Sequence, residues 1–361
     1  MKKLGLIVLA FIVLISCNGT ETFNKQEAPR AKNIILLIGD GMGVAQVYAA
    51  MSVSEEPLNF ERFKHIGFHK TYSADDYITD SGAGGTALST GIKTCNQCIA
   101  VDSLGNPLKT ILEYAEENQL ATGLVSTSSI LHATPASFIA HELDRSNYEN
   151  IAMDFLDVDI DLFIGGGKKQ FADRKDQLNL IDSLHHNKYI VVDSLENLNT
   201  EIEGKFAVFT AYEHNPEISN GRGDMLPNST EKAIKILDKN ENGFFLMVEG
   251  SQIDWGGHDM DIDYVISETL DFDKAIAKAL DFAEKDGETL VIVTADHETG
   301  GLSLIDGDLN SKTIQVNFST DDHTAVMVPV FAFGPGAEEF AGIYQNTDVF
   351  EKMMKALGFE K

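Results

Sequence analysis

The segment at residues 77–91, YITDSGAGGTALSTG, places a serine where a helix is expected to begin. Ser81 follows Asp80, and both residue types are favoured at helix N-termini. The N–H groups exposed at such an end also receive anions. Taken alone, the segment leaves two interpretations open. Ser81 either starts a closely packed helix and nothing more, or is a nucleophile at the helix start.

Acidic residues follow three apolar runs that have the character of buried strands. Asp40 ends NIILLIGD, Glu249 ends GFFLMVE, and Asp296 follows TLVIVTA. Ligands of open α/β sheets bind beyond the carboxyl ends of the strands, so these three carboxylates are expected to converge. Each one separately has the simpler interpretation of a helix cap or a loop acid.

Histidines accompany the acids. Asp254 and His258 are four residues apart, which places them on one face if the segment is helical. The other candidate ligands follow an acid or a further strand-like run, and they are His297, His323, and His132 with Thr134. A mixed set of Asp, Glu and His is typical of zinc sites, with magnesium at an oxygen-rich part. The remaining histidines lack such neighbours and are interpreted as surface or core residues: His65, His69, His141, His185, His186 and His214.

Seven short apolar runs predict strands buried on both faces, at 33–38, 122–125, 161–164, 206–209, 243–248, 289–293 and 327–333. Helical patterns lie between or after them at 108–118, 263–285 and 347–357. This alternation predicts one α/β domain over residues 32–361, with a large, mostly parallel central sheet covered by helices on both faces. The more polar segment 168–224 is interpreted as a small insertion, an irregular excursion from the sheet that covers or frames the site.

Composition limits the partners of the protein. Hydrophobic residues make up 43% of the 361 residues, enough for a substantial core, and the formal net charge is −28. Such a charge argues against nucleic acid as a partner, because phosphate contacts need clustered Lys and Arg. An anionic substrate therefore needs a site that is positive locally, as bound metal ions can make it.

The N-terminus, MKKLGLIVLAFIVLISC, predicts a lipoprotein signal peptide over residues 1–16, with a lipidated Cys17 as the first mature residue. An ordinary secretion signal that happens to contain a cysteine is the alternative. Residues 17–31 then form a polar tether. The expected location is the bacterial cell envelope, periplasmic or surface-exposed, with Cys17 as the one contact with the membrane.

Two further cysteines, Cys95 and Cys98, form a CxxC pattern. Redox chemistry or half a zinc site would use this spacing too, but no second CxxC is present and no strand-to-helix context of a redox motif surrounds it. In an oxidising envelope the pattern favours a local structural disulfide.

Together, these motifs resemble those of the alkaline phosphatases. Six segments match in order, and they read GDGMG, TDSGAGGTALSTG, HATPASFIAHELDR, EGSQIDWGGH, TADHETGG and DHT with VPVFAFGPG. The likeness runs from about residue 33 to 358 and is weakest through 168–224. It implies hydrolysis of small phosphomonoesters through a phosphoserine intermediate on Ser81. Many relatives are dimers, so a homodimer and a monomer both remain open.

The resemblance also implies roles for individual residues. One zinc ion would be held by Asp254, His258 and His323. A second would be held by Asp40, Asp296, His297 and the Ser81 oxygen. A third ion, normally magnesium, would be held by Asp40, His132, Thr134 and Glu249. Arg145 lies thirteen residues after His132, the family spacing for the arginine that binds phosphate.

Two positions depart from the family pattern. His132 stands where the best-known bacterial members have Asp, and an imidazole suits zinc or cobalt better than magnesium. Trp255 stands where other members carry Lys or His. It is the only Trp in the chain, and it either stacks on the leaving group of the substrate or packs at the rim of the site.

Two alternatives to a phosphomonoesterase are weighed. Related folds hydrolyse phosphodiesters or sulfate esters with two zinc ions, but the third set of ligands, His132, Thr134 and Glu249, favours monoesters. A lipoprotein that captures phosphate or metal without catalysis would need neither Ser81 nor ligands on both sides of it.

Overall fold

Fourteen strands and eleven α-helices form within residues 30–360, the part of the chain that the computed structural model describes. The strands are β1 (Asn33–Gly39), β2 (His65–Lys70), β3 (Ala121–Ser129), β4 (Leu162–Gly166), β5 (Tyr189–Val192), β6 (Lys205–Phe209), β7 (Phe244–Gly250), β8 (Thr289–Thr294), β9 (Glu298–Thr299), β10 (Ser303–Asp308), β11 (Thr313–Asn317), β12 (His323–Thr324), β13 (Val328–Phe333) and β14 (Gly342–Gln345). The helices are α1 (Val44–Val53), α2 (Ser81–Thr90), α3 (Ile111–Glu117), α4 (Ala133–Ala136), α5 (Tyr148–Asp157), α6 (Lys168–Ala172), α7 (Leu180–His186), α8 (Met225–Leu237), α9 (Gln252–His258), α10 (Ile262–Asp286) and α11 (Thr347–Leu357). Short 3₁₀ turns lie at Asn59–Arg62, Leu195–Asn197, Ile218–Asn220 and Ala337–Phe340.

Ten of the strands form one sheet, in the order β14-β2-β13-β8-β1-β7-β3-β4-β6-β5. All neighbouring pairs are parallel except the two that involve β13, which runs antiparallel to both β2 and β8. The remaining strands form the β10–β11 hairpin and the short β9–β12 pair. The predicted large, mostly parallel sheet is confirmed.

Strand β1 shows why its sequence is apolar throughout. All of its residues are buried, and alternate side chains enter two separate cores. Ile34 and Leu36 pack in the core that includes α3, α5 and α11. Ile35 and Leu37 pack in the core that includes α1, α8 and α10. A parallel sheet with helices on both faces has no solvent-facing side, so its central strands show no polar alternation.

Each predicted strand and helix is present, with small shifts at the ends. The helix predicted at 108–118 begins only at Ile111, because the Thr110 side chain accepts a hydrogen bond from the N–H of Glu113 and the Glu113 carboxylate accepts one from the N–H of Thr110. This reciprocal capping box fixes the helix start. The strands that the patterns missed include β2 and β14, which lie toward an edge of the sheet. Strand β2 mixes buried with exposed positions, and β14 has no fully buried residue.

The interpretation of 168–224 as an excursion from the sheet was wrong in one respect. Strand β6, which the sequence predicted at 206–209, and strand β5, which it did not predict, lie in this segment and extend the main sheet beyond β4. Strand β5 has the apolar sequence YIVV, but it is only four residues long, lies in a more polar segment and has only Tyr189 buried.

The predicted signal peptide, Cys17 and most of the tether lie outside the described residues. Ala31, which the prediction placed at the end of the tether, is buried, and its N–H donates to the carbonyl of Ala356 at 2.9 Å. The packed structure therefore includes Ala31, one residue more than predicted. Within residues 30–360, no helix combines the length and apolar character needed to cross a membrane.

Candidate metal centre and active site

Three neighbouring strands bring the predicted acids to one edge of the sheet. Strand β1 lies between β7 and β8, and Ile38 pairs with Glu249 on one side and with Thr294 on the other. Asp40 directly follows β1, Asp296 is the second residue after β8, and Glu249 lies near the end of β7, so all three carboxylates meet at the carboxyl edge. All three side chains are buried.

The first group of candidate ligands contains Asp254, His258 and His323. Asp254 Oδ1 lies 3.4 Å from His258 Nε2 and 3.5 Å from His323 Nε2, and the two Nε2 atoms are 3.2 Å apart. The Nδ1 atoms face backbone carbonyls, that of Asp321 at 2.7 Å from His258 and that of Thr79 at 2.8 Å from His323. A carbonyl only accepts, so each Nδ1 carries a proton, and each Nε2 faces Asp254, where its lone pair would be available to a bound metal ion. Converging lone pairs and a carboxylate fit a metal cation.

The second group surrounds the candidate nucleophile and contains Asp40, Ser81, Asp296 and His297. His297 Nε2 lies 3.2 Å from Ser81 Oγ, 3.4 Å from Asp40 Oδ1 and 3.3 Å from Asp296 Oδ2. The His297 ring stacks on that of His323 with centroids 3.6 Å apart, so the first and second groups are neighbours. Thr299 connects them as well, because its hydroxyl donates to Asp254 and lies 3.2 Å from His297 Nδ1.

The third group shares Asp40 with the second and adds His132, Thr134 and Glu249. One atom each of Asp40, His132 and Glu249 lie within 4.8 Å of one another. Thr134 donates to Asp40 Oδ2 at 3.4 Å, and Ser126 donates to Glu249 Oε2 at 2.6 Å.

The ligand groups carry buried atoms that metal ions would satisfy. Within residues 30–360, four of them have no hydrogen-bond partner: Asp40 Oδ1, His132 Nδ1, Glu249 Oε1 and Asp296 Oδ2. Buried polar atoms in native proteins are nearly always paired, and these four lie where the ligand groups converge. The residues present therefore fit a metal centre.

Electrostatics points the same way. Burial raises the pKa of Glu249 to about 7, and burial with the charge of Asp254 raises the pKa of Asp296 to about 6. Burial and the charge of Asp296 raise the pKa of Asp40 well above its ordinary value. Ionised carboxylates that lie close together and are buried away from water need compensating positive charge.

Helix α2 sets the position of Ser81. Ser81 is its first residue, and the N-capping Asp80 accepts a hydrogen bond from the N–H of Ala83 at 2.9 Å. The glycines that follow allow the helix to approach the site closely, because a Cβ on Gly84 would lie 3.1 Å from that of Asp296. Ser81 thus begins a helix and also faces the second ligand group.

Asp80 holds the Arg145 side chain, whose positive charge acts on Asp40 in the second and third ligand groups. Arg145 Nη1 donates to Asp80 Oδ2 at 2.9 Å, and the arginine side chain is 19% exposed. The sequence predicted Arg145 as a phosphate ligand but did not assign Asp80 to the guanidinium. The only feature of the sequence that could have indicated this role of Asp80 is its position directly before Ser81.

Trp255 lies on α9 directly after Asp254 and is half buried. Its ring stands edge to face against His214 at 5.1 Å and against His132 at 6.1 Å. His214 was interpreted as a surface or core residue, and it is exposed, but its contacts with Trp255 and His132 at the site were not predicted. It follows β6, and its Nδ1 accepts a hydrogen bond from the N–H of Ser129 at 3.0 Å. No sequence spacing connects residue 214 with these partners.

Comparison of this chain with known proteins identifies its family. A model of the alkaline phosphatase family matches residues 31–314 and 305–359. The chain belongs to the alkaline phosphatase family. Alkaline phosphatase 3 of Bacillus subtilis (strain 168) is 37% identical to it over 91% of this chain and 89% of that protein. The alkaline phosphatase of Escherichia coli (strain K12) is 32% identical over 91% of this chain and 87% of that protein.

Solved structures of alkaline phosphatases share the fold. The alkaline phosphatase from the Antarctic bacterium TAB5 is 43% identical, with a TM-score of 0.89 that covers 92% of this chain and 100% of that one. A variant of the TAB5 enzyme with one histidine replaced by aspartate is 44% identical and has magnesium bound in its M3 site. The present protein is therefore a phosphatase, and the family and fold inferred from its sequence are confirmed. This argues against the alternative of a non-catalytic capture protein.

Replacing Asp40 with Asn tests the metal centre, because Asp40 is shared by the second and third groups. We expect Asp40→Asn to lose bound metal from both, since the amide brings no negative charge. Elemental analysis of the purified protein measures this loss. Glu298→Gln is the matched control, because Glu298 is buried nearby with its carboxylate hydrogen-bonded to Gln46, Leu302 and Thr324. Equal metal contents in the two variants would contradict the assignment of Asp40.

Proposed function

We propose that this alkaline phosphatase hydrolyses phosphomonoesters through a covalent phosphoserine at Ser81 and releases inorganic phosphate. One observation carries the proposal. Ser81 Oγ lies 3.2 Å from His297 Nε2, among the buried carboxylates of the second group and at the N-terminus of α2. A serine that only starts a helix would not need a histidine and buried carboxylates around its hydroxyl group.

The ligand groups indicate which residues would hold metal ions. Zinc is proposed at Asp254, His258 and His323, and a second zinc at Asp40, Asp296, His297 and Ser81. Magnesium is proposed at Asp40, His132, Thr134 and Glu249, with zinc or cobalt as alternatives there because of His132. Bound metal ions supply positive charge that stabilises the attacking and leaving oxygens in phosphoryl transfer.

Two nucleophilic displacements complete the reaction. Ser81 Oγ attacks phosphorus as the bond to the leaving alcohol breaks, and water then cleaves the phosphoserine to free Ser81 and phosphate. Phosphoryl transfer depends on positioning and on stabilising the charge of the non-bridging oxygens. Arg145 binds two of these oxygens through its planar donor pair, and N–H groups at the start of α2 add anion contacts.

The third ligand group favours monoesters over the diesters or sulfate esters considered as alternatives. Its members His132, Thr134 and Glu249 lie together with Asp40 at the site. The sequence relatives named above are alkaline phosphatases, which agrees with this choice.

Replacing Ser81 with Ala removes the nucleophile. We expect kcat on 4-nitrophenyl phosphate to fall by at least about a thousandfold, as for other nucleophile replacements. Ser89→Ala on the same helix is the control, because the Ser89 hydroxyl bonds only to backbone carbonyls, including that of Ser137. Stopped reactions of the wild type should carry phosphate on Ser81 in peptide mass spectra. Near wild-type turnover in Ser81→Ala would refute the proposal.

Trp255 is proposed to stack on an aromatic leaving group. It is half buried and directly follows the ligand Asp254, which supports a place at the rim of the site. Trp255→Ala should raise KM for 4-nitrophenyl phosphate by about threefold to tenfold, the range of one aromatic contact, and leave KM for glycerol phosphate unchanged. Equal changes for both substrates would indicate a packing role only.

We further propose that the enzyme is a lipoprotein of the bacterial envelope. The basic start, the short apolar run and the small residue before Cys17 support this. Mass spectrometry of the N-terminal peptide from a bacterial membrane fraction should find an acylated Cys17, and Cys17→Ala should release the enzyme from membranes. An unmodified Cys17 in the mature protein would contradict it.

A further inference from the structure

Cys95 and Cys98 form a disulfide, as predicted, and it closes a tight turn. The N–H of Cys98 donates to the carbonyl of Cys95 at 3.1 Å, and Gln97 has a φ of 72°. A positive φ at the third residue alone is the mark of a type II turn, where glycine is usual. A residue with a Cβ is disfavoured there. The disulfide and the hydrogen bond across the turn hold Gln97 in this conformation.

The two residues inside the turn contact Asp80 from different directions. Asn96 Oδ1 accepts a hydrogen bond from the N–H of Asp80 at 3.0 Å. The N–H of Gln97 donates to Asp80 Oδ2 at 3.1 Å, and the Gln97 side-chain amide lies 3.4 Å from the same oxygen. This oxygen is also the acceptor for Arg145 Nη1 at 2.9 Å. The turn therefore orients the Asp80 carboxylate, and this carboxylate in turn orients the guanidinium of Arg145.

The same turn contacts the chain on which Arg145 and Ser81 lie. The carbonyl of Gln97 accepts a hydrogen bond from the N–H of Arg145 at 2.9 Å, which fixes the base of that side chain. The carbonyl of Cys98 lies 3.0 Å from where a Cβ on Gly82 would be, one residue after Ser81. Both ends of the arginine and the start of α2 are thus set by four consecutive residues.

We propose that the disulfide-closed turn 95–98 is a positioning element for the phosphate-binding arginine. The disulfide keeps Gln97 in its left-handed conformation, and Gln97 then holds both Asp80 and the backbone of Arg145. A disulfide across so short a loop constrains the unfolded chain less than one across a long loop, so its effect is expected to be local. This inference rests on the proposed role of Arg145 in binding phosphate.

The test removes the disulfide and measures phosphate affinity. In metal-loaded Cys95→Ala/Cys98→Ala, we expect the inhibition constant of inorganic phosphate and KM for 4-nitrophenyl phosphate to rise by about tenfold, since misplacing a positioned group weakens its contacts. Metal content should not change. Asp102→Ala is the matched control, because it loosens the adjacent turn through the N–H groups of Leu104 and Asn106 and has no hydrogen bond to Asp80 or Arg145. It should leave both constants unchanged.

A second variant keeps the disulfide. Asn96→Ala removes the side-chain acceptor for the N–H of Asp80 and an exposed side-chain donor to the carbonyl of Ile78. Only the first of these bonds involves Asp80, so the variant should fold and raise the phosphate inhibition constant by about threefold, as expected for one hydrogen bond. An unchanged constant in Asn96→Ala and in the double-cysteine variant would overturn the inference.

A double-mutant cycle with Arg145→Ala separates positioning from general stability. When Arg145 is already absent, loss of the disulfide should leave the phosphate inhibition constant unchanged. A further rise of the same factor would show that the turn does not act through Arg145, and would overturn the inference. If Arg145→Ala alone left phosphate affinity intact, the proposed function of Arg145 would fail instead.

Discussion

Buried negative charge is the constraint on which this structure depends. Asp40 lies at the centre, because its two oxygens belong to different ligand groups, one with His297 and one with Thr134. Ionised carboxylates removed from water repel one another, and burial raises their pKa values. Such a cluster is stable as a set of anions only with cations between its members. The metal centre is thus the condition under which the edge of the sheet can be built this way.

The groups that contact the candidate metal ligands fix how those ligands are oriented. Carbonyls of Thr79 and Asp321 set the proton positions on His323 and His258, so that both rings offer lone pairs to the same point. Thr299 joins Asp254 to His297 and lies in β9, which pairs with the strand that begins at His323. Partners of this kind orient metal ligands and set their basicity. The two-residue strands β9 and β12 therefore have a clear role despite their length.

The overall charge of the chain makes local charge decisive. At −28, the protein repels a phosphate ester over long distances, so attraction must come from groups within the site. Arg145 contributes one fixed positive charge, and its pairing with Asp80 prevents it from swinging away. The start of α2 adds oriented N–H groups, which explains why one residue, Ser81, serves both as helix start and as the proposed nucleophile.

Local patterns in the sequence determined the central strands, the long helix α10 and the acids at the strand ends. These features follow from burial on both faces and from the 3.6-residue period, which depend on neighbouring residues alone. The edge strand β5, YIVV, was missed although it is apolar, because it has only four residues and lies in a more polar segment. The family resemblance added the partition of ligands among three ions, which spacing alone did not give.

Contacts between distant segments were decided by tertiary structure. Asp80 meets Arg145 across 65 positions, and Ser81 meets His297 across 216. His214 reaches Trp255 only because β6 joins the far side of the sheet and returns its chain to the site. Strand order places β1 between β7 and β8, and no local pattern encodes that order. The sequence by itself determined which side chains have the chemistry to bind metal and phosphate. The order of the strands decided which of them lie close together, because only neighbours in the sheet bring their ends together.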